Sequence, residues 1–309
     1  MSLVSSAAPF GAEPEALLAV AAHVAVSGEM PAPAITEAAR EAAPLAASIA
    51  APRARALMES VILGRSLDLG LQWLQESGVL RVLLPELAAT VEFSQEAGRR
   101  HKDVWEHTKQ VVRQSVPRPT VRWAALLHDI GKVPTRVMLP DGRVTFHRHA
   151  EVGARMFDAV SRRLGFERPE RAKVRFLILH HLRANAYESS WTDAAVRRFD
   201  HEMGDDLEDL LDLSRADVTS RRPGRRQEAV ANIHALKERI LIIRELDARV
   251  PPLPPGLGNS IMEAFALPPS RRIGDLRKQC EDAIERGELE ERRDAGYYID
   301  YLRRCGVTG

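Results

Sequence analysis

Cysteine is nearly absent from this 309-residue sequence, which has only Cys280 and Cys305. Two thiols cannot staple a domain, so a disulfide scaffold is excluded and a reducing compartment is expected. Net charge is nearly absent too, at +1 from 44 Lys and Arg against 43 Asp and Glu. Contact with a polyanion must then come from a local basic patch, not a global field. No Lys or Arg precedes Arg40, so the basic start of a secretory signal is missing. The most apolar early run, Leu17 to Val26, contains His23 and is too short to span a bilayer. These absences predict a soluble cytoplasmic protein with no membrane partner, and leave its oligomeric state open.

What is present is helical periodicity over most of the chain. A tail of small residues covers 1–12, and an Ala- and Leu-rich region follows over 13–98. Its spacing predicts helices at 13–26, 34–48, 52–62, 66–76 and 79–88. A second region, 99–249, predicts helices at 103–115, 119–130, 149–165, 169–184, 192–201, 205–219 and 226–248. Within it, two short alternating arms flank Pro140-Asp141-Gly142 between Arg136 and Phe146, the pattern of a small β-hairpin. The Pro-rich run Val250 to Gly256 opens a third region, 250–309, with helices near 259–266, 271–287 and 290–304. The expected class is all-α: a central bundle, N- and C-terminal helical regions, and one hairpin.

Seven of the ten histidines fall between 101 and 181. Val104, His107, Thr108 and Val111 share one helix face, so His107 points inward. His128 and Asp129 end the apolar run from Val121 to Leu127, just before Gly131, read as a helix stop. His149 heads the stripe Val152, Gly153, Met156, Phe157, Val160; His180 and His181 close the run Val174 to Leu179; Asp217 extends Leu207, Leu210 and Ser214. A single inward histidine is more often a hydrogen-bonded core residue. Six or seven such residues on converging helices, two of them acids that need a positive partner, point instead to a divalent metal site. Imidazole and carboxylate ligands suit Mn, Fe, Co, Ni or Zn, and Mg less well. His101, His147, His201 and His234 fall outside this pattern and read as surface residues. Asp103 shares a face with His107, but Asp103-Val-Trp-Glu106 reads as a capping box.

His107-Thr108, His128-Asp129-Ile-Gly-Lys132 and Asp217 resemble the signature of the HD phosphohydrolase superfamily. Phe146 to Ala154, His180-His181-Leu-Arg183 and Arg215-Ala-Asp217-Val make the resemblance closer to one branch, the C-terminal part of bacterial tRNA nucleotidyltransferases and poly(A) polymerases. Leu71 to Leu87 looks like that branch's neck, and Pro268 to Leu302 like its tail. The catalytic head of those enzymes carries a Gly-Ser turn and paired aspartates. Here the first aspartate is Asp68 and residues 1–67 hold no Gly-Ser step, so nucleotidyl transfer by this chain alone is not expected.

The resemblance implies His107, His128, Asp129 and Asp217 as ligands of a first ion. It makes Asp129 a bridge to a second, with His149, His180 and His181 as candidates, hence one or two ions per chain. Asp129 and Lys132 are the implied catalytic pair, Lys132 as a phosphate-binding cation. Arg183 either contacts substrate phosphate or ends its helix. Arg221 and Arg222, in the basic run up to Arg226, are candidate substrate or RNA contacts, opposed by the acidic run Asp205 to Asp209. The chain lacks the Gly-Tyr-Pro signature of cyclic-dinucleotide hydrolases and the paired acids of guanosine-tetraphosphate hydrolases. The expected activity is hydrolysis of a nucleotide or RNA-end phosphoester, a 2′,3′-cyclic phosphate being favoured. The alternative is a module that binds RNA or a partner protein without catalysis.

Overall fold

The computed structural model describes residues 10–96, 104–220, 222, 224–248 and 251–308. The N-terminal helices are α1 (Ala16–Ser27), α2 (Pro33–Ala42), α3 (Ala51–Leu63), α4 (Leu67–Glu76), α5 (Val79–Leu83) and α6 (Pro85–Glu96). Next come α7 (Val104–Gln114), α8 (Pro119–Leu127), the strands β1 (Val137–Met138) and β2 (Val144–Thr145), and α9 (His149–Arg163). They are followed by α10 (Arg168–His180), α11 (Asp193–Met203), α12 (Leu207–Asp217) and α13 (Arg225–Ala248). The chain closes with α14 (Leu257–Ala264), α15 (Arg271–Glu285) and α16 (Ala295–Arg304). The fold is all-α with one antiparallel hairpin, in which Val137 pairs Thr145 and Met138 pairs Val144. Among the described residues, no helix is long and apolar enough to cross a membrane.

Proline sets several boundaries. It stands in the first turn of α2, α3, α8 and α10, where its missing N–H costs nothing. It also corrects two expectations. The helix expected at 79–88 is two, because Pro85 starts α6 anew after Leu84 leaves helical geometry (φ −134°, ψ 65°). The helix expected at 34–48 stops at Ala42, and Ala43–Ser48, with Pro44 in its first turn, tightens into a 3-10 helix.

Contacts divide the chain into two compact units, Met1–Ile240 and Leu241–Gly309, with the boundary inside α13. In the first unit α1 lies against α3 and α4. Gly64 permits that approach, since a Cβ there would fall 2.5 Å from the Ala25 carbonyl oxygen. Further along, α8 is buried from Val121 to Leu127 and packs against α3, α7, α10 and α12. Trp123 is fully buried beneath Phe166 and donates its Nε1–H to Glu59 at 3.1 Å. Arg122, only 7% exposed, donates to the carbonyls of Ile62 (2.6 Å) and Ser115 (3.1 Å), and so ties α3 to the segment before α8. Burial pushes its pKa down, but those carbonyls keep the guanidinium hydrogen-bonded. Arg122→Met, which leaves them without a donor, is expected to cost about 3 kcal/mol in urea unfolding. An unchanged midpoint would show that the tie carries no stability.

The second unit has its own core of Leu253, Leu257, Ile261, Phe265, Ile273, Leu276, Tyr298 and Leu302. Tyr298 is fully buried, yet its hydroxyl reaches the Glu290 carbonyl at 2.9 Å. Cys280 is a buried free thiol of this core and Cys305 an exposed one.

Candidate metal centre

Most of the candidate ligands sit at a helix end, where the chain turns and a side chain can leave the packed face. Ending at Leu127, α8 delivers His128 and Asp129 at 0% and 2% exposure, ahead of the 3-10 turn Ile130–Lys132. His149 opens α9, His181 caps α10 and Asp217 closes α12. His107 alone lies within a helix, in the first turn of α7, buried with Val104, Thr108 and Val111.

Gly131 works differently from the helix stop expected of it. It is not in the left-handed conformation; it lets the 3-10 turn lie on the first turn of α9. A Cβ at Gly131 would stand 2.1 Å from the His149 carbonyl oxygen and 2.6 Å from Gly153 N. That contact places His149 beside Asp129, with Nε2 3.5 Å from Oδ1.

Among the described residues two sets of potential ligands result: His107, His128 and Asp129, and Asp129, His149 and His181, each with its ligand atoms within 4.8 Å of one another. Asp129 belongs to both. Its Oδ2 lies 3.2 Å from His128 Nε2 and 3.4 Å from His107 Nε2. Asp217 joins the first set, its Oδ1 3.0 Å from His107 Nε2 and 3.6 Å from His128 Nε2. In each set the paired histidines face one another, His107 with His128 and His149 with His181, both at 3.3 Å between Nε2 atoms.

The other ring nitrogens explain why Nε2 is the inward one. Nδ1 of His128, His149 and His181 lies 2.8 to 2.9 Å from the carbonyls of Ala125, Phe146 and Ile178, each three residues back. A carbonyl only accepts, so Nδ1 must carry a proton, and a neutral ring then presents its Nε2 lone pair inward. Asp129 Oδ1 is a buried acceptor with no hydrogen-bond partner among the described residues. Converging lone pairs and an unsatisfied carboxylate oxygen are the donor set of a divalent cation, and the residues fit one.

Electrostatics point the same way. Burial opposes charge on Asp129, but His128 above all, then Lys132 and His107, holds it well below the usual carboxylate range. Asp217 is held down likewise, against its burial, by hydrogen bonds from His107 and His128. Burial would lower His128, yet the two carboxylates outweigh it and lift its pKa to about 10. Burial, then the neighbouring His128, pushes His181 down to about 4. Burial also lowers His107 and His149. Metal and proton therefore compete for His128 Nε2, and protons weaken binding as pH falls. Below its raised pKa, affinity is expected to rise about tenfold per pH unit for one displaced proton. Zinc titrations at pH 6, 7 and 8 check this; pH-independent affinity would contradict it.

Lys132 Nζ lies 2.6 Å from Asp129 Oδ2 and 5.8 Å from the Phe146 ring centre. Other sequence candidates are not brought in. His180 rests on Phe176, with ring centres 4.4 Å apart, and belongs to neither set. Consecutive helical residues point about 100° apart, so only one of the pair can face the cluster. Arg183 pairs with Glu202 at 2.6 Å and lies over Phe199. Arg222 is exposed ahead of α13, its N–H donating to Ser220 Oγ at 3.2 Å. His101, Asp103 and Arg221 lie outside the described residues. Sequence reasoning missed Thr219, whose Oγ1 lies 2.9 Å from His107 Nδ1; its only signal is its place two residues past Asp217.

Residues 89–222 match the HD domain family, so the cluster lies in an HD domain. Beyond it, the chain is homologous to bacterial tRNA nucleotidyltransferases. It is 31% identical to the A-adding tRNA nucleotidyltransferase of Deinococcus radiodurans over 74% of this chain and 53% of the relative. To the CC-adding tRNA nucleotidyltransferase of Thermus thermophilus it is 32% identical, over 76% and 52%. A multifunctional CCA protein of Pseudomonas fluorescens matches at 30% over 52% of this chain and 36% of its own length. The chain thus spans about half the length of the first two relatives.

Proposed function

We propose that this chain is a metal-dependent phosphohydrolase of the HD type, acting in the cytoplasm on a phosphoester of a nucleotide or RNA end. The observation that carries the reading is Asp129, whose Oδ2 faces His107 and His128, whose Oδ1 faces His149, and which belongs to both ligand sets. His107, His128, Asp129 and Asp217 would hold one divalent ion, and Asp129, His149 and His181 a second. When bound, such ions polarise a phosphoryl oxygen and lower the pKa of a water to the point where it attacks near neutral pH. Lys132, at the edge of the cluster, supplies a cation to the charge that develops on the transferring phosphoryl group. His180 and Arg183 are left out of the assignment, because Phe176 and Glu202 engage them.

The relatives' names speak of tRNA, which favours RNA ends and, among them, 2′,3′-cyclic phosphates. The test is hydrolysis of 2′,3′-cyclic AMP and of mononucleotides with Mn, Ni or Mg. Lys132→Met is expected to lower kcat/KM by roughly 10²-fold while leaving bound metal unchanged, in line with removal of one charge-stabilising donor. Unchanged kcat/KM removes Lys132 from the mechanism; a wild type inert on every phosphoester with every metal overturns the reading.

A second reading has one observation in its favour. Likeness to the tRNA enzymes extends over about three quarters of the chain, well beyond the HD segment. A module that grips RNA would need those flanking helices, and Arg221 and Arg222 are its candidate contacts. Gel shifts with tRNA at low and high salt separate the two readings, since phosphate contacts are strongly salt-dependent.

A further inference from the structure

We infer that Thr219 is a positioning residue of the metal centre: its hydroxyl fixes the tautomer and orientation of His107, and thereby the affinity of the cation position built from His107, His128, Asp129 and Asp217. This rests on the metal-centre part of the function proposed above.

Three of the four inward histidines obtain their partner locally, from a backbone carbonyl three residues back. His107 has no such partner. It sits inside α7, where the preceding carbonyls serve the helix ladder, so its Nδ1 needs an acceptor from elsewhere. Thr219 supplies it from 112 residues away, with Oγ1 at 2.9 Å and 5% exposure. The same short segment provides Asp217, whose Oδ1 lies 3.0 Å from Nε2 of the same ring. Between them Val218 is extended (φ −73°, ψ 96°), where α12 has ended. Asp217-Val218-Thr219 therefore grips both nitrogens of one imidazole and ties α7 to the end of α12.

Chemistry assigns the direction of the bond. For His107 to present a lone pair at Nε2, its proton must be on Nδ1 and the Thr219 oxygen must accept it. Unlike a carbonyl, a hydroxyl can be removed by substitution, so of the four inward histidines His107 is the one whose Nδ1 a side chain holds. His149 and His181 hold their tautomers through Phe146 and Ile178, and the second position should not depend on Thr219.

Thr219→Val keeps the shape and removes the hydroxyl; Thr219→Ser keeps the hydroxyl. Histidine imidazole 15N–1H spectra of the zinc-loaded full-length protein read the tautomer and the exchange of the ring proton, and zinc calorimetry reads the affinities. The wild type and Thr219→Ser are expected to hold His107 with its proton on Nδ1. In Thr219→Val that proton should lose its acceptor and exchange faster with water, with one position weakened roughly 10–100-fold and the other unchanged. A valine variant with wild-type exchange of the Nδ1 proton and wild-type affinities overturns the inference, as does a serine variant that behaves like valine. If the valine variant does not fold, the wild-type spectrum decides: a proton on Nε2 of His107 overturns it. A flat wild-type titration overturns the metal-centre reading and this inference with it. Tight wild-type binding that valine leaves untouched overturns this inference alone.

Discussion

Asp129→Asn is expected to abolish both cation positions at once. The amide keeps the shape of the carboxylate but loses its charge and one of its two acceptor oxygens. Oδ2 faces His107 and His128 while Oδ1 faces His149, so neither histidine pair keeps a carboxylate from this residue. Loss of a partner one bond removed from a metal already costs 10–100-fold, so removal of the shared ligand should weaken both positions by more than about 100-fold. Calorimetry and metal content after dialysis read this directly. Asp217→Asn is the control, because Asp217 approaches only His107 and His128 and should affect one position. An Asp129→Asn protein that retains one tight ion would show that Asp129 does not bridge.

Gly131→Ala should be the most destabilising glycine-to-alanine change among the described residues of the HD segment. The atoms it would meet, at 2.1 Å and 2.6 Å, are backbone atoms of His149 and Gly153, and neither can rotate away. The turn and α9 must separate, at a cost of about 3 kcal/mol or more. The same movement carries His149 away from Asp129, so the second cation position should weaken with it. Thermal melts with and without zinc check both effects. Gly142→Ala is the comparison: its Cβ meets open space, and the cost is about 1 kcal/mol, from φ +78° alone. A Gly131→Ala protein that melts like the wild type would mean the turn and α9 do not touch.

The helices were legible because burial follows the 3.6-residue period, and α7 to α12 fall where the spacing puts them. Breaks inside an apolar run were less legible, since Pro44 and Pro85 divide segments whose pattern continues across them. In the site, His107, His128, Asp129 and Asp217 stood out as polar residues in phase with apolar stripes. The choice between His180 and His181 was also available. Val174, Leu177, Ile178 and His181 are spaced i, i+3, i+4, i+7, and the first three are fully buried. His180 is out of that phase. Gly131 and Thr219 could not be read from the sequence, because each acts on a partner distant in the chain. A glycine after a helix looks like a stop until the helix it touches is known, and a threonine past an aspartate looks like a loop residue until an imidazole arrives beside it.

Anomalous diffraction from crystals grown with manganese or zinc, recorded at the metal edge, tests the central claim most directly. The structure predicts peaks flanking Asp129, one within about 2.0–2.3 Å of His107 and His128 Nε2 and any second at that distance from His149 and His181 Nε2. Anomalous peaks only elsewhere, or none with metal in excess, would contradict it.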